Sequence, residues 1–510
     1  MAKKAARKTA RKSSGAAKKR ASAKRPARRG RPGATDTINC WEQDPGSAAQ
    51  PTGGPIIQRP VPVIGNTPYP TRIENPATAP APGSYSAGSS QFRYWAAADA
   101  LRRGSDFWGA LLPDTDWEVG DVLPVDLYHG NDLNAYYDRV GLRFFQDDAG
   151  GRTVYSGESP DVVCHELGHA ILDSFKPQLW DAASMEVASF HESFGDMSAL
   201  LCGLQLQSLR LGVLQETGNV VYRASRLSRL AEQLGWAIRQ SVPSAVESDC
   251  LRNAVNTFFY RDPNTLPTQA PASVLSSEPH SFSRVFTAAF FEGLAGMFTT
   301  GATRDEAALL KVSQDAGRIL VDGVRAATVV PGFYSQVAAS MLRVAQSRFG
   351  AQSYEQALRS AFVRHGILPP AMALTVSTAP PPAAAAAAAV AAQAAERELP
   401  RHQMSVAEYG LGVPAIMVMS ASQPKVYDVA GASLAIGPTT APAEDVAAKA
   451  FFEDLLRRGR LKVADAAEPR AEILRAAASR THPTHTHELR KEGGQVVLRR
   501  VRIDCCFCCR

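Results

Sequence analysis

Two histidines and a glutamate lie close together in the segment DVVCHELGHAIL, residues 161–172. If this segment is helical, His165 and His169 lie one turn apart on the same face. Both imidazoles can then bind one zinc ion, while Glu166 can reach a metal-bound water and take its proton. These residues alone leave open another interpretation, a helix whose histidines are satisfied by neighbouring protein groups.

A second pair of functional residues lies in MEVASFHESFGDMSALL, residues 185–201. Glu192 and Asp196 are four residues apart on one face of an otherwise apolar helix. Burying two acids is costly unless they are paired or bind a metal. Glu192 would complete a zinc site of two histidines and one glutamate, and Asp196 could accept a hydrogen bond from a ligand imidazole. His191 points about 100° away from Glu192 and is not predicted to be a ligand.

The two segments together resemble the thermolysin-like zinc metallopeptidases, a gluzincin family. The family pattern is Asp-Val-Val-x-His-Glu-Leu-x-His-Ala, followed by a helix with Asn-Glu-x-x-x-Asp, and this chain has DVVCHELGHA and HESFGD. The resemblance implies that His165, His169 and Glu192 are zinc ligands and that Glu166 is the general base. It also implies that Asp196 contacts a zinc-bound histidine.

Two further segments extend the resemblance over residues 92–365. LNAYYD, residues 133–138, is similar to the family's edge strand, which implies that Asn134 and Ala135 bind the substrate backbone by strand addition. EPHSFSRVFTAAFF, residues 278–291, is similar to the helix that carries the family's catalytic histidine. By that likeness His280 donates a hydrogen bond to the developing oxyanion.

The chain also departs from the family pattern. Trp180 stands where the family has a tyrosine that donates to the oxyanion, so its indole N–H is a candidate donor with a different reach. Asp161 matches an acid that binds calcium in some members, which makes calcium a second candidate cofactor, although an acid at a helix start is an equal explanation. Arg252 and Arg261 are candidates for holding a substrate carbonyl.

The elements that must position these residues predict an α+β fold, and the resemblance implies the two lobes of a thermolysin-like catalytic core. Residues 91–158 have the apolar spacing of one helix followed by short strands, and form a small mixed α/β N-lobe. Residues 159–370 are mostly helical and form the C-lobe. Its first helix begins at Ser159-Pro160-Asp161, which supplies a cap, a proline in the first turn and an acid near the positive end.

The flanking segments differ in composition from this core. Residues 1–33 hold seven Lys and seven Arg and no acid, and are predicted to be a disordered basic tail. Residues 34–90 are a Pro/Gly-rich linker, predicted to be poorly ordered, and residues 371–400 are an Ala/Pro linker. Residues 401–510 are predicted to form a separate small α+β domain, with a helix from Glu444 to Arg458, a hairpin around KEGG and a Cys-rich end, CCFCC.

These observations predict a zinc metalloendopeptidase that acts on proteins or peptides. The alternative is a non-catalytic protein with a peptidase-like body that binds nucleic acid or another polyanion through its basic tail. The tail carries +14 and the whole chain +7, so the rest carries −7. No apolar run is long enough to span a membrane, and none follows the basic N-terminus as in a secretory signal. The prediction is therefore a cytoplasmic protein, or one exported by another route.

Overall fold

The computed structural model describes residues 37–46, 54–113, 115–370, 373, 398–420, 444–463 and 485–504. Within these ranges the fold mixes helices and strands, as the sequence predicts. The basic tail 1–33, nearly all of the linker 371–400 and the terminal CCFCC lie outside the described residues.

The N-terminal part consists of short strands around one long helix. Its elements are β1 (Thr37–Trp41), β2 (Ile56–Pro60), β3 (Thr71–Asn75), α1 (Ser90–Leu111), β4 (Leu123–Asp126), β5 (Ala135–Tyr137), β6 (Leu142–Phe144), β7 (Gln146–Ala149) and β8 (Arg152–Tyr155).

Ordered structure begins well before the predicted start at residue 91, so the prediction of a poorly ordered linker over 34–90 is wrong for the described residues of that range. β1 pairs with β2, and β3 pairs with β4. Ile38 and Cys40 alternate along β1 and are fully buried in the main core. The high proline and glycine content of this segment hid that short period-two pattern.

The next part is mostly helical. Its elements are α2 (Pro160–Phe175), α3 (Met185–Gly203), α4 (Gln207–Thr217), β9 (Arg229–Leu230), α5 (Glu232–Arg239), β10 (Arg252–Asn253), α6 (Pro279–Thr300), α7 (Glu306–Ala326), α8 (Phe333–Phe349) and α9 (Tyr354–Arg364). The predicted start of α2 is confirmed, since the Ser159 side chain accepts a hydrogen bond from the N–H of Val162.

Helices α2 and α3 approach each other closely because glycines face each other at their contact. A Cβ atom on Gly168 would lie 3.1 Å from the Cα of Gly195 and 2.7 Å from the Cβ of Ser198. The Ser198 hydroxyl links the neighbouring elements, donating to the carbonyl of Cys164 (2.7 Å) and accepting from the indole of Trp108 in α1 (3.1 Å). This close contact fixes the relative position of the two helices that carry the candidate ligands.

The C-terminal unit contains β11 (Arg401–Ser405), β12 (Ala415–Met419), α10 (Glu444–Arg457), β13 (Leu461–Val463), β14 (His487–Glu492), β15 (Gln495–Arg500) and β16 (Ile503–Asp504). The predicted helix and hairpin are confirmed. Gly459 follows α10 with a φ of 64°, and Gly493 and Gly494 turn the hairpin with φ values of 55° and 83°. These left-handed conformations favour glycine.

The C-terminal unit is not as separate as the sequence predicts. It has a small apolar core of its own, but its last strand joins the sheet of the N-terminal part, in the order β16-β5-β6-β4-β3. The N–H of Ala183 also donates to the carbonyl of Met419 at 2.8 Å. Residues 398–504, where described, are therefore docked on the helices and strands that precede them.

Among the described residues, no single helix is long and apolar enough to cross a membrane. Only α3 and α4 taken together pass that test, and they are bent by 101° relative to each other.

A buried acid on α3 makes stability depend on pH. Glu186 accepts hydrogen bonds from the hydroxyl of Tyr260 (2.6 Å) and the N–H of Tyr334 (2.8 Å), yet burial raises its pKa to about 7. Because the folded pKa exceeds the unfolded value, the contribution of Glu186 to stability is full below the unfolded pKa and is lost as pH rises through about 7.

We expect the free energy of unfolding of Glu186→Gln to exceed that of wild type by on the order of 2 kcal/mol at about pH 8, because glutamine carries no charge to bury. Urea unfolding against pH checks this, with exposed Glu74→Gln as control, and an unchanged pH slope in Glu186→Gln would contradict it.

Candidate metal centre

Helices α2 and α3 bring two imidazoles and one carboxylate to a common point. Nε2 of His165 lies 3.4 Å from Oε2 of Glu192, and Nε2 of His169 lies 3.9 Å from Oε1 of the same carboxylate. All three side chains are buried. Tetrahedral zinc with bonds of about 2.0–2.1 Å holds its ligand atoms about 3.3 Å apart. The two separations from Glu192 are near this value, although they involve its two different oxygens, and the compact group of potential ligand atoms contains Glu166 instead of Glu192.

Glu166 lies beside this group. Potential ligand atoms of His165, Glu166 and His169 are all within 4.8 Å of one another, and the Glu166 side chain is fully buried. Because Glu166 follows His165 directly, its side chain is turned about 100° around the helix from the face that carries His165 and His169, yet it stays close to both. This is the place expected of a base that acts on a water bound at the same point.

The protonation of His169 suits a metal ligand. Neither of its ring nitrogens makes a hydrogen bond to any part of the chain that the structure describes. Burial, with the neighbouring imidazoles of His165, His191 and His280, lowers the pKa of His169 well below its usual range. The ring is therefore neutral at neutral pH, with a lone pair available to a metal, and an unsatisfied buried ring is costly without one.

Asp196 holds the first histidine in place. Its Oδ1 lies 3.1 Å from Nδ1 of His165, which leaves Nε2 of that ring facing Glu192. Arg252 donates to the same carboxylate, with Nη2 at 2.7 Å from Oδ1 and Nε at 3.1 Å from Oδ2. Although burial opposes ionisation, Arg252 and His165 lower the pKa of Asp196. Asp196 therefore contacts the ring of His165, a candidate ligand, and its role in positioning a metal ligand stays a prediction.

The two arginines proposed for substrate binding lie in different surroundings. Arg252 is buried and reaches the site through Asp196. Arg261 is exposed. The structure therefore brings Arg252 to the candidate centre, where its described contacts position Asp196.

His280 reaches the centre from the start of α6. Its Nε2 lies 3.3 Å from Oε2 of Glu192, and its Nδ1 lies 2.6 Å from Oε1 of Glu278. Burial favours the neutral ring, but Glu192 and Glu278 outweigh it and raise the pKa of His280 to about 10. A protonated His280 is a hydrogen-bond donor at neutral pH. Glu278 also caps α6 by accepting a hydrogen bond from the N–H of Ser281. The sequence patterns did not single out Glu278, although an acid two residues before His280 at a helix start could have indicated its contact with that ring.

The predicted substrate strand is present, but its outer edge is occupied. Ala135 begins β5, and the Asn134 side chain accepts a hydrogen bond from the N–H of Ala135 at 2.9 Å. β5 pairs with β6 on one side and with β16 on the other.

The candidate oxyanion donor Trp180 faces the C-terminal unit. Its indole N–H donates to the carbonyl of Arg500 at 3.2 Å, and the guanidinium of Arg139 lies 4.6 Å from its ring centroid. The side chain is buried by these contacts. In this structure its donor therefore serves the docking of the C-terminal unit.

Asp161, the candidate calcium ligand, is buried at the start of α2. Its carboxylate accepts from the N–H of Ala231 at 3.2 Å, and burial with the nearby Asp44 raises its pKa well above the usual range. The group of metal-ligating side chains found in the described part of the chain does not include it. A calcium site at Asp161 stays a prediction.

Gly195 is a residue of the site that the sequence patterns did not single out. A Cβ atom there would lie 2.6–2.8 Å from three ring atoms of His165. We expect Gly195→Ala to displace this imidazole and to weaken zinc binding roughly tenfold or more. Zinc titration checks this. Gly203→Ala on the same helix is the control, since its new Cβ meets the side-chain ends of Leu209 at 3.1 Å and Leu227 at 3.5 Å and no candidate ligand, and equal zinc affinities in the two variants would contradict the prediction.

No protein-family model matches the chain, and no curated protein matches it significantly. What supports a function is therefore the set of residues and contacts described above.

Proposed function

We propose that the protein is a zinc-dependent metalloendopeptidase of the thermolysin-like type. The observation that carries the proposal is the convergence of His165, His169 and Glu192 from α2 and α3, with Glu166 beside them in a buried site. A strand-rich part before α2 and a helical part after it are consistent with the two lobes of that family. The lobed architecture is part of the proposal.

Each residue of the site has a chemical task in this proposal. His165, His169 and Glu192 would hold the ion, and zinc, when bound, lowers the pKa of its water and polarises a carbonyl. Glu166 takes the proton of the attacking water and passes it to the leaving amine. His280, whose Nδ1 lies 2.6 Å from Oε1 of Glu278, donates to the oxyanion from Nε2.

The proposed substrate is an extended protein or peptide segment. Ala135 and the rest of β5 would offer backbone groups to an extended chain along this edge once β16, which pairs with Tyr136 and Tyr137, is displaced. Asn134 supports that edge through its hydrogen bond to Ala135.

Zinc removal tests the proposed function. We expect about one zinc per chain, and slow cleavage of casein that stops with a chelator and returns on adding zinc, because the ion supplies the activated water. Metal analysis and an electrophoretic cleavage assay measure both. A chain that binds no zinc, or that cleaves equally well with and without it, would refute the proposal.

The alternative, polyanion binding by a body that does not cleave, depends on the charges of residues 1–33. These lie outside the described residues, so this function stays a prediction. A zinc-loaded chain that cleaves nothing but binds DNA with a strong salt dependence would favour it.

A further inference from the structure

The last described strand, β16, lies on the strand edge that the proposed function assigns to a substrate. It runs antiparallel to β5, with Ile503 opposite Tyr137 and Asp504 opposite Tyr136. Ile503 and Asp504 are 2% and 3% exposed, so the strand is packed in place. Any extended peptide that pairs with this edge of β5 must first displace it.

The backbone of β16 also contacts the proposed catalytic histidine. The carbonyl oxygen of Asp504 lies 2.5 Å from Nε2 of His280, close enough to accept its hydrogen bond. The same nitrogen is 3.3 Å from Oε2 of Glu192. A peptide carbonyl of the chain itself therefore lies where a substrate carbonyl would meet His280.

The residues before β16 fasten this strand to the core. Trp180 and Arg500 exchange hydrogen bonds, since the indole N–H donates to the Arg500 carbonyl and Nε of Arg500 donates to the Trp180 carbonyl at 2.6 Å. Nη1 of Arg499 donates to Oδ2 of Asp181 at 2.8 Å. Within the described residues, which end at Asp504, two residues of β16 pair with β5, and releasing them requires local opening rather than unfolding of the core.

We propose that β16 is an inhibitory strand that occupies the edge of β5 and the donor of His280 as a peptide ligand would, and that the enzyme cleaves substrates when this strand is displaced. The proposal rests on the proposed function of the same site. Inhibition of this kind is competitive, because the strand and the substrate use the same backbone groups and the same donor.

A full-length Ile503→Glu variant tests the proposal, since a charge at this buried position expels the strand. The probe is a fluorescein-labelled peptide RVRID, the sequence of residues 500–504, followed by anisotropy. We expect it to bind Ile503→Glu roughly tenfold or more tightly than wild type. Gln495→Glu, which adds the same charge at an exposed position of β15, should behave as wild type. Equal binding to all three chains, or none to Ile503→Glu, would overturn the proposal.

Kinetics separate this proposal from the proposed function. With a quenched fluorescent peptide substrate, Ile503→Glu should show a KM roughly tenfold or more below wild type and an unchanged kcat. Unchanged KM in a variant that binds RVRID would overturn the inhibitory role. If Ile503→Glu binds RVRID tightly but neither it nor wild type hydrolyses the quenched substrate, the proposed peptidase function is refuted. The binding of β16 to the edge of β5 would still stand. If Ile503→Glu does not fold, Ile503→Ala gives the same test with a smaller expected change.

Discussion

Replacing Glu166 by glutamine is expected to lower kcat/KM for peptide hydrolysis by roughly 10³-fold, within the 10²–10⁴ range typical of a general base. Glutamine keeps the size of the fully buried side chain but cannot take a proton from water. Zinc content should stay near that of wild type, because His165, His169 and Glu192 are unchanged. Steady-state kinetics with metal analysis of the same samples measures both quantities.

The control for this prediction is Glu186→Gln, the same substitution at a buried glutamate of α3. Glu186 contacts Tyr260 and Tyr334 and has no role in the proposed chemistry. We expect its kcat/KM at neutral pH to match wild type. If Glu166→Gln and Glu186→Gln are equally active, Glu166 is not the base and the proposed mechanism is wrong. The comparison is also made in the Ile503→Glu chain, where substrate does not compete with β16.

The candidate ligands could be predicted from the sequence because their arrangement is mostly local. His165 and His169 share a face through helix geometry alone, and the same holds for Glu192 and Asp196. The cost of burying two acids on an apolar helix indicated that they face a partner, and the structure places Asp196 against His165 and Arg252. The packing of α2 against α3 depends on contacts between separate segments. The expectation that their side chains face one metal ion came from the family resemblance.

The parts that could not be predicted depend on contacts between distant segments. β16 is two residues long, and an isolated short strand carries no signal that names its pairing partner. Trp180 was interpreted as an oxyanion donor from its position, whereas its N–H goes to Arg500 near the end of the chain. The early strands β1 and β3 were missed because turn-rich composition around them outweighed their short apolar patterns. In each case tertiary pairing decided the outcome.

Removing the charge of Asp196 is expected to affect both the metal and the fold. In Asp196→Asn the buried guanidinium of Arg252, which donates two hydrogen bonds to this carboxylate, loses its anionic partner. This should lower the free energy of unfolding by about 3–5 kcal/mol. His165 also loses the carboxylate that orients its ring, so zinc affinity should fall by about 10–100-fold. Urea unfolding of the metal-free chain gives the first quantity, and competition with a chromophoric chelator gives the second.

A second buried aspartate, Asp173 near the end of α2, separates these two effects. Arg139 donates to its carboxylate at 2.8 Å through Nε, and the hydroxyl of Tyr137 donates at 2.9 Å. Asp173→Asn should therefore lower stability, although by less, because the Arg139 side chain is 31% exposed and water can take over part of its solvation. It should leave zinc affinity unchanged, since its described contacts include no candidate ligand. If zinc affinity falls equally in both variants, Asp196 acts only through the stability of the fold, and its assignment as the residue that positions His165 is wrong.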